Sequence, residues 1–247
     1  MRIYVIRHGE TQANLEGRLC GWTDDPLNEN GRRLAVITGR KMKGTVFDAC
    51  ISSPLSRARE TAEIVLRESG NHIPVEIDER IKEINAGEWE NIHFRNPENP
   101  EAAAGIREYF LNPFKLEGCP GGESARQVCE RTQSFLKELM ARDDGKTYLV
   151  STHGFALRAM LNFLYEDPAD FWQTHMPYNC AVSIIDAEDG VGFGRRLAGK
   201  QIRAVSGEKS QSAGGWQGIE SKVRRRVRHR FEIYIRLCER QWSGLHH

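Results

Sequence analysis

Short runs of β-branched and aromatic residues recur along this chain, separated by stretches whose apolar residues keep helical spacing. Residues 3–6, 47–52, 74–77, 148–151 and 181–185 read as strands, and Pro74 marks the third as an edge. Between them, Asn28 is suited to cap a helix over 29–42, with Leu34, Ile37 and Met42 inward. Pro54 opens a second helix, whose Ala58, Ala62, Val65 and Leu66 share one face. Further helices are predicted over 101–111, 123–142 and 154–165, the longest on the spacing of Val128, Thr132, Phe135, Leu136, Leu139 and Met140. Residues 14–28 read as a polar loop, and 91–122 as an irregular, proline-rich lid around the 101–111 helix. Strands alternating with helices predict an α/β fold of three layers, α/β/α, around a mostly parallel central sheet.

Composition narrows the class. A chain of 247 residues buries a proper core, and 39% apolar with 28% charged residues is ordinary for a water-soluble domain. No basic leader followed by an apolar core is visible, and no apolar run approaches a membrane span. The six cysteines form no C-x-x-C pair, so they read as reduced thiols of a cytoplasmic protein. No two histidines keep the i, i+4 spacing of a helical ligand pair, so neither a metal nor another cofactor is expected.

The net charge of +1 conceals an asymmetry. Residues 195–247 carry 13 Lys/Arg against 4 Glu, leaving 22 basic and 30 acidic residues before them. A main domain over 1–195 is therefore expected, followed by a basic tail over 196–247. The tail reads as a linker and an amphipathic helix marked by Val223, Val227, Phe231, Cys238 and Trp242. Docking on the acidic domain, pairing with a second copy and contact with an anionic surface are its candidate uses.

Polar residues leave the strands at one edge. The first strand ends in Arg7-His8-Gly9-Glu10-Thr11, the second in Ser52-Ser53-Pro54-Leu55-Ser56-Arg57 and the fourth in Ser151-Thr152-His153-Gly154. Ligands of open α/β sheets gather outside the carboxyl ends of strands. Two guanidinium forks and the N–H groups of helix starts suit a dianionic phosphate there.

These motifs, with Lys82-Glu83-Ile84-Asn85-Ala86-Gly87-Glu88-Trp89-Glu90 and Pro120-Gly121-Gly122-Glu123-Ser124, resemble the histidine phosphatase superfamily. The loop from Asn14 through Gly17, Gly21, Trp22, Asp24 and Pro26 to Gly31 resembles its phosphoglycerate-mutase-like branch, which includes broad phosphatases and α-ribazole phosphatase. The resemblance implies a phosphoglycerate-mutase-like fold, with His8 as nucleophile and Glu83 as general acid and base. Glu88 and Glu90 are the neighbouring alternatives to Glu83. It further implies that Arg7, Arg57 and His153 hold the phosphoryl oxygens, and that Asn14, Cys20, Gly21 and Gly154 line the substrate side. General acid catalysis at Glu83 requires a carboxyl group protonated near neutrality.

Phosphatase and mutase are the two chemistries within that family. Glu83 is followed by Ile84-Asn85-Ala86-Gly87 rather than the Arg-His-Tyr-Gly-Gly of glycolytic mutases. Residues 84–122 hold three basic residues against six glutamates, which suits a second strong negative charge poorly. Phe94, Tyr109, Phe110 and Phe114 are expected to offer an apolar face to the alcohol portion. The expected activity is therefore hydrolysis of a small or medium phosphomonoester. A cofactor-dependent phosphoglycerate mutase is the alternative. A non-catalytic regulatory protein on this fold is expected to have lost one of the five key residues, and all five are present.

Overall fold

In a computed structural model, residues 1–188, 191–195 and 205–206 are described, apart from 95–98, 116 and 174, with side chains described as far as residue 187. Arg2–Arg7 (β1) alternates its faces as a period of two requires: Ile3 and Val5 are buried on one side, Tyr4 and Ile6 pack on the other. Ala49–Ser52 (β2), Val75–Ile77 (β3), Thr147–Thr152 (β4), Val182–Glu188 (β5), Val191–Arg195 (β6) and Val205–Ser206 (β7) complete a sheet of order β3-β2-β4-β1-β5-β6-β7. The strands from β3 to β1 run parallel, with β3 at the edge as Pro74 suggests. From β5 onward the pairing is antiparallel. β5 and β6 form a hairpin, which the sequence reading did not anticipate.

Helices cover both faces. Glu29–Lys41 (α2) and Ser56–Ser69 (α3) pack on one side, where Ala35, Ala62 and Val65 meet Ile6, Cys50 and Leu149. Ala125–Ala141 (α5) and Gly154–Leu161 (α6) close the other, where Leu136, Leu139, Leu157 and Met160 meet Ile3, Val5 and Val150. Burying each of these larger side chains contributes about 1.5–3 kcal/mol. Asn28 caps α2 as expected, accepting from the Gly31 N–H at 2.8 Å. Of the residues predicted inward, Met42 is buried and Leu34 packs against the core, whereas Ile37 is 40% exposed and Gly31, Ala35 and Gly39 are buried instead. A Cβ on Gly39 would lie 2.7 Å from Glu68 Cβ, so α2 uses its smallest residues to approach α3 closely.

Within the expected polar loop, Gln12–Glu16 (α1) forms one short helix. Thr11 and Asn14 make a reciprocal capping box, and Gly17 closes it at φ 69°. Pro100–Leu111 (α4) sits in the lid near its predicted place. The lid aromatics pack inward, Tyr109 fully and Phe94, Phe110 and Phe114 in part. Tyr109 is buried and stacked on Phe155, Phe110 stacks on Trp172, and Phe114 meets Phe171 edge-on. They join the core beside α5 and α6, because an aromatic ring gains more from a dry contact than from solvent. Among the described residues no helix is long and apolar enough to cross a membrane, and five cysteines are free. The expected amphipathic helix between Val223 and Trp242 lies outside the described residues.

Candidate active site

The register of the parallel strands assembles the centre. Arg7 lies opposite Thr152, and Ser52 opposite Ser151, so His8, His153 and Ser53 leave three adjacent strands together. The imidazoles of His8 and His153 stand 5.1 Å apart between ring centres, and both are buried. His8 Nδ1 lies 2.6 Å from Gly9 O. A carbonyl can only accept, so Nδ1 carries the proton and Nε2 keeps its lone pair. The backbone of His8 is pinned as well. Its N–H donates to Thr152 O, and its carbonyl accepts from Cys180 N and from Asn179 Nδ2.

Two guanidinium groups flank the histidines. Arg57 is 1% exposed; its Nη1 donates to Thr23 O at 2.8 Å and its Nη2 to Gly21 O at 2.7 Å. Arg7 donates from Nη1 to Pro177 O and packs against Gly154, where a Cβ would lie 3.2 Å from Arg7 Nε. Burial lowers the Arg7 pKa to about 10, so it stays charged at neutral pH. Among the described residues, three buried polar atoms of this centre have no hydrogen-bond partner: Arg7 Nε, Arg57 Nε and His153 Nδ1. An unsatisfied buried donor costs about 1–3 kcal/mol, a cost that an oxyanion among them would remove. His153 Nε2 pairs with Ser53 Oγ at 2.7 Å.

Glu83 is brought to the same place. Its carboxylate accepts from the N–H groups of Ile84, Phe155 and Ala156, at the amino end of α6 beside His153. Its carbonyl accepts from Trp22 Nε1 and Arg131 Nη2, and Arg131 is held in turn by Glu123 at 2.8 Å. Of the neighbouring carboxylates, Glu88 is exposed, and Glu90 points into the 21–23 loop. Asn14 contributes its Oδ1 to the α1 cap and to Asn179 at 3.2 Å. Cys20 donates to Thr23 O, and burial pushes its thiol pKa up. Asn179 and Arg131 were not singled out by the sequence reading, Ser53 entered it only within the 52–57 motif, and Glu90 only as an alternative to Glu83. Only the Ser-Ser-Pro and Gly-Glu-Ser motifs hinted at some of these contacts.

Burial, then the charge of Arg57, moves both imidazole pKa values well below the usual 6.5, with further lowering by Arg7. Both rings are therefore neutral at pH 7. The unfolded chain takes up a proton on each near 6.5 while the folded protein does not. Protons thus favour the unfolded state, and stability falls as pH drops through 6.5, by about 1.4 kcal/mol per pH unit for each ring. Urea midpoints at about pH 7 and about pH 5.5 should show this loss, and His8→Asn should make the loss smaller.

A neutral histidine between two arginines, at the carboxyl edge of a largely parallel sheet, is an arrangement suited to phosphoryl chemistry. The family model for the histidine phosphatase superfamily (branch 1) matches residues 3–198, and the chain belongs to that family. A curated relative from Cronobacter sakazakii, named "Probable phosphoglycerate mutase GpmB", is 32% identical over 186 residues, covering 75% of this chain and 85% of the relative. Among solved structures, YhfR of Bacillus stearothermophilus superposes with a TM-score of 0.69 at 33% identity, covering 76% of this chain and 92% of its own. A "putative alpha-ribazole-5'-P phosphatase" from Escherichia coli superposes with a TM-score of 0.69 at 28% identity, covering 82% and 98%. Members of the family are phosphatases and mutases, and the fold is phosphoglycerate-mutase-like.

Proposed function

We propose that the protein is a phosphomonoester hydrolase working through a phosphohistidine on His8. The observation that carries this reading is the Nδ1–H bond from His8 to Gly9 O, which leaves Nε2 as a fixed, unprotonated nucleophile. Nε2 attacks phosphorus, and the bond from phosphorus to the alcohol oxygen breaks. Glu83 gives its proton to that oxygen as it leaves. In the second half, Glu83 takes a proton from water, which attacks the phosphohistidine and releases phosphate and free His8. Arg7, Arg57 and His153 hold the phosphoryl oxygens, and their unpartnered nitrogens support that assignment. This reading assigns Asn14, Cys20, Gly21 and Gly154 to the side of the alcohol portion, a small or medium metabolite.

The acidic balance of residues 84–122 favours hydrolysis over a mutase reaction with a doubly anionic substrate. A panel of phosphomonoesters, assayed for free phosphate with and without 2,3-bisphosphoglycerate, tests the choice. Release of phosphate from several esters without the bisphosphate is expected. Negligible hydrolysis, with bisphosphate-dependent transfer between the positions of phosphoglycerate, would make the protein a mutase instead.

A further inference from the structure

We infer that Glu90 is a positioning residue that sets Arg57 and Glu83 in their working geometry, an inference that rests on the phosphohistidine reading above. Its carboxylate collects five donors. Oε1 accepts from the N–H groups of Trp22 (2.7 Å) and Ala86 (3.1 Å). Oε2 accepts from the N–H groups of Gly21 (3.1 Å) and Thr23 (3.2 Å) and from Thr23 Oγ (2.7 Å). Such a nest of backbone N–H groups suits an anion, and a neutral side chain cannot satisfy it.

The same loop presents its other side to the arginine. Gly21 and Thr23 turn their N–H groups to Glu90 and their carbonyls to Arg57. The Gly21–Trp22 peptide thus lies between a carboxylate and a guanidinium with both ends of its dipole engaged, its N–H on Glu90 and its carbonyl on Arg57. The Ala86 bond ties this loop to the segment that carries Glu83, and Trp22 reaches the Glu83 carbonyl at 2.8 Å. One carboxylate therefore couples the phosphoryl-holding cation to the acid–base residue. Gly21 admits this close approach, because a Cβ there would lie 2.4 Å from Glu90 Oε1 and 2.3 Å from Ile84 O.

Glu90→Gln keeps the shape but turns one acceptor into an amide NH₂ facing N–H donors. The loop carbonyls then release Arg57. Turnover of p-nitrophenyl phosphate is expected to fall on the order of 100-fold, as for a displaced catalytic group. Affinity for orthovanadate should weaken about tenfold, the equivalent of one charge-assisted hydrogen bond. Thr23→Val, which removes only the hydroxyl donor, should shift both readouts the same way by less. The decisive measurement is the double variant with Arg57→Met. Because Glu90 acts through Arg57, Glu90→Gln should add little to the vanadate loss in that background. Full turnover and vanadate affinity in Glu90→Gln would overturn the inference, as would vanadate-affinity losses that multiply fully with Arg57→Met. His8→Ala run alongside keeps the two ideas apart: an active His8→Ala overturns the phosphohistidine reading, whereas an inactive one beside an unaffected Glu90→Gln overturns only the positioning role.

Discussion

Replacing His8 by alanine should lower turnover of every phosphomonoester by about 10⁴-fold or more, the usual scale for loss of a covalent nucleophile. The loss should fall on kcat rather than on ligand affinity. Arg7 and Arg57 remain in His8→Ala, and Arg57 keeps its bonds to Gly21 and Thr23, so orthovanadate should still bind. The hydrogen-bonding cost to folding should be modest, because among the described residues the side-chain hydrogen bond removed is Nδ1 to Gly9 O, worth about 1 kcal/mol. His8→Asn, which can still donate near that position, separates stability from chemistry. Quenching wild type in mid-turnover should trap an acid-labile, base-stable phosphoenzyme that His8→Ala lacks. Retention of a tenth or more of wild-type kcat by His8→Ala would end the phosphohistidine scheme.

That prediction can be made because much of the centre was readable along the chain. Arg7 ends β1, His8 and His153 follow directly on β1 and β4, and Arg57 lies in the first turn of α3, a short loop after β2; a parallel sheet delivers such residues to one edge whatever lies between them. The long α5 was equally readable, since an amphipathic period over 17 residues leaves little freedom. Less readable was what depends on backbone groups or on size. α1 spans five residues, too few for any period, and exists through the Thr11–Asn14 cap. The buried stripe of α2 consists of Gly31, Ala35 and Gly39, which hydrophobic patterning passes over in favour of Ile37. Asn179 stands 171 residues from His8 and holds its carbonyl through a single amide. Glu90 engages main-chain N–H groups, which every non-proline residue carries, so no pairing could be read from side-chain types. The lid aromatics were legible as an apolar group, but their packing was not: Tyr109 is buried, and Phe94, Phe110 and Phe114 lie partly buried against the cluster that holds residues of α5 and α6.

Glu83→Gln should give the second large effect, and its size should depend on the leaving group. Glu83 Oε1 accepts two N–H groups, from Ile84 and Ala156, while Oε2 accepts only that of Phe155. In the proposed mechanism Oε2, with the fewer N–H partners, is the oxygen that delivers the proton to the departing alcohol. Glutamine can mimic Oε1 but places an NH₂ against the Phe155 N–H. This donor–donor contact and the lost cap should destabilise the fold by about 1–3 kcal/mol. Alkyl phosphates need a proton on the leaving oxygen, so their turnover should fall by about 10²–10⁴-fold, the usual contribution of general acid catalysis. p-Nitrophenyl phosphate expels a stabilised phenolate and should lose far less in the first step. The phosphoenzyme formed from it should then accumulate, because the variant also lacks the base that activates water. A burst of p-nitrophenolate followed by slow turnover is the expected trace. Equal losses for alkyl and nitrophenyl esters, with no burst, would move Glu83 from proton transfer to a purely structural cap on α6.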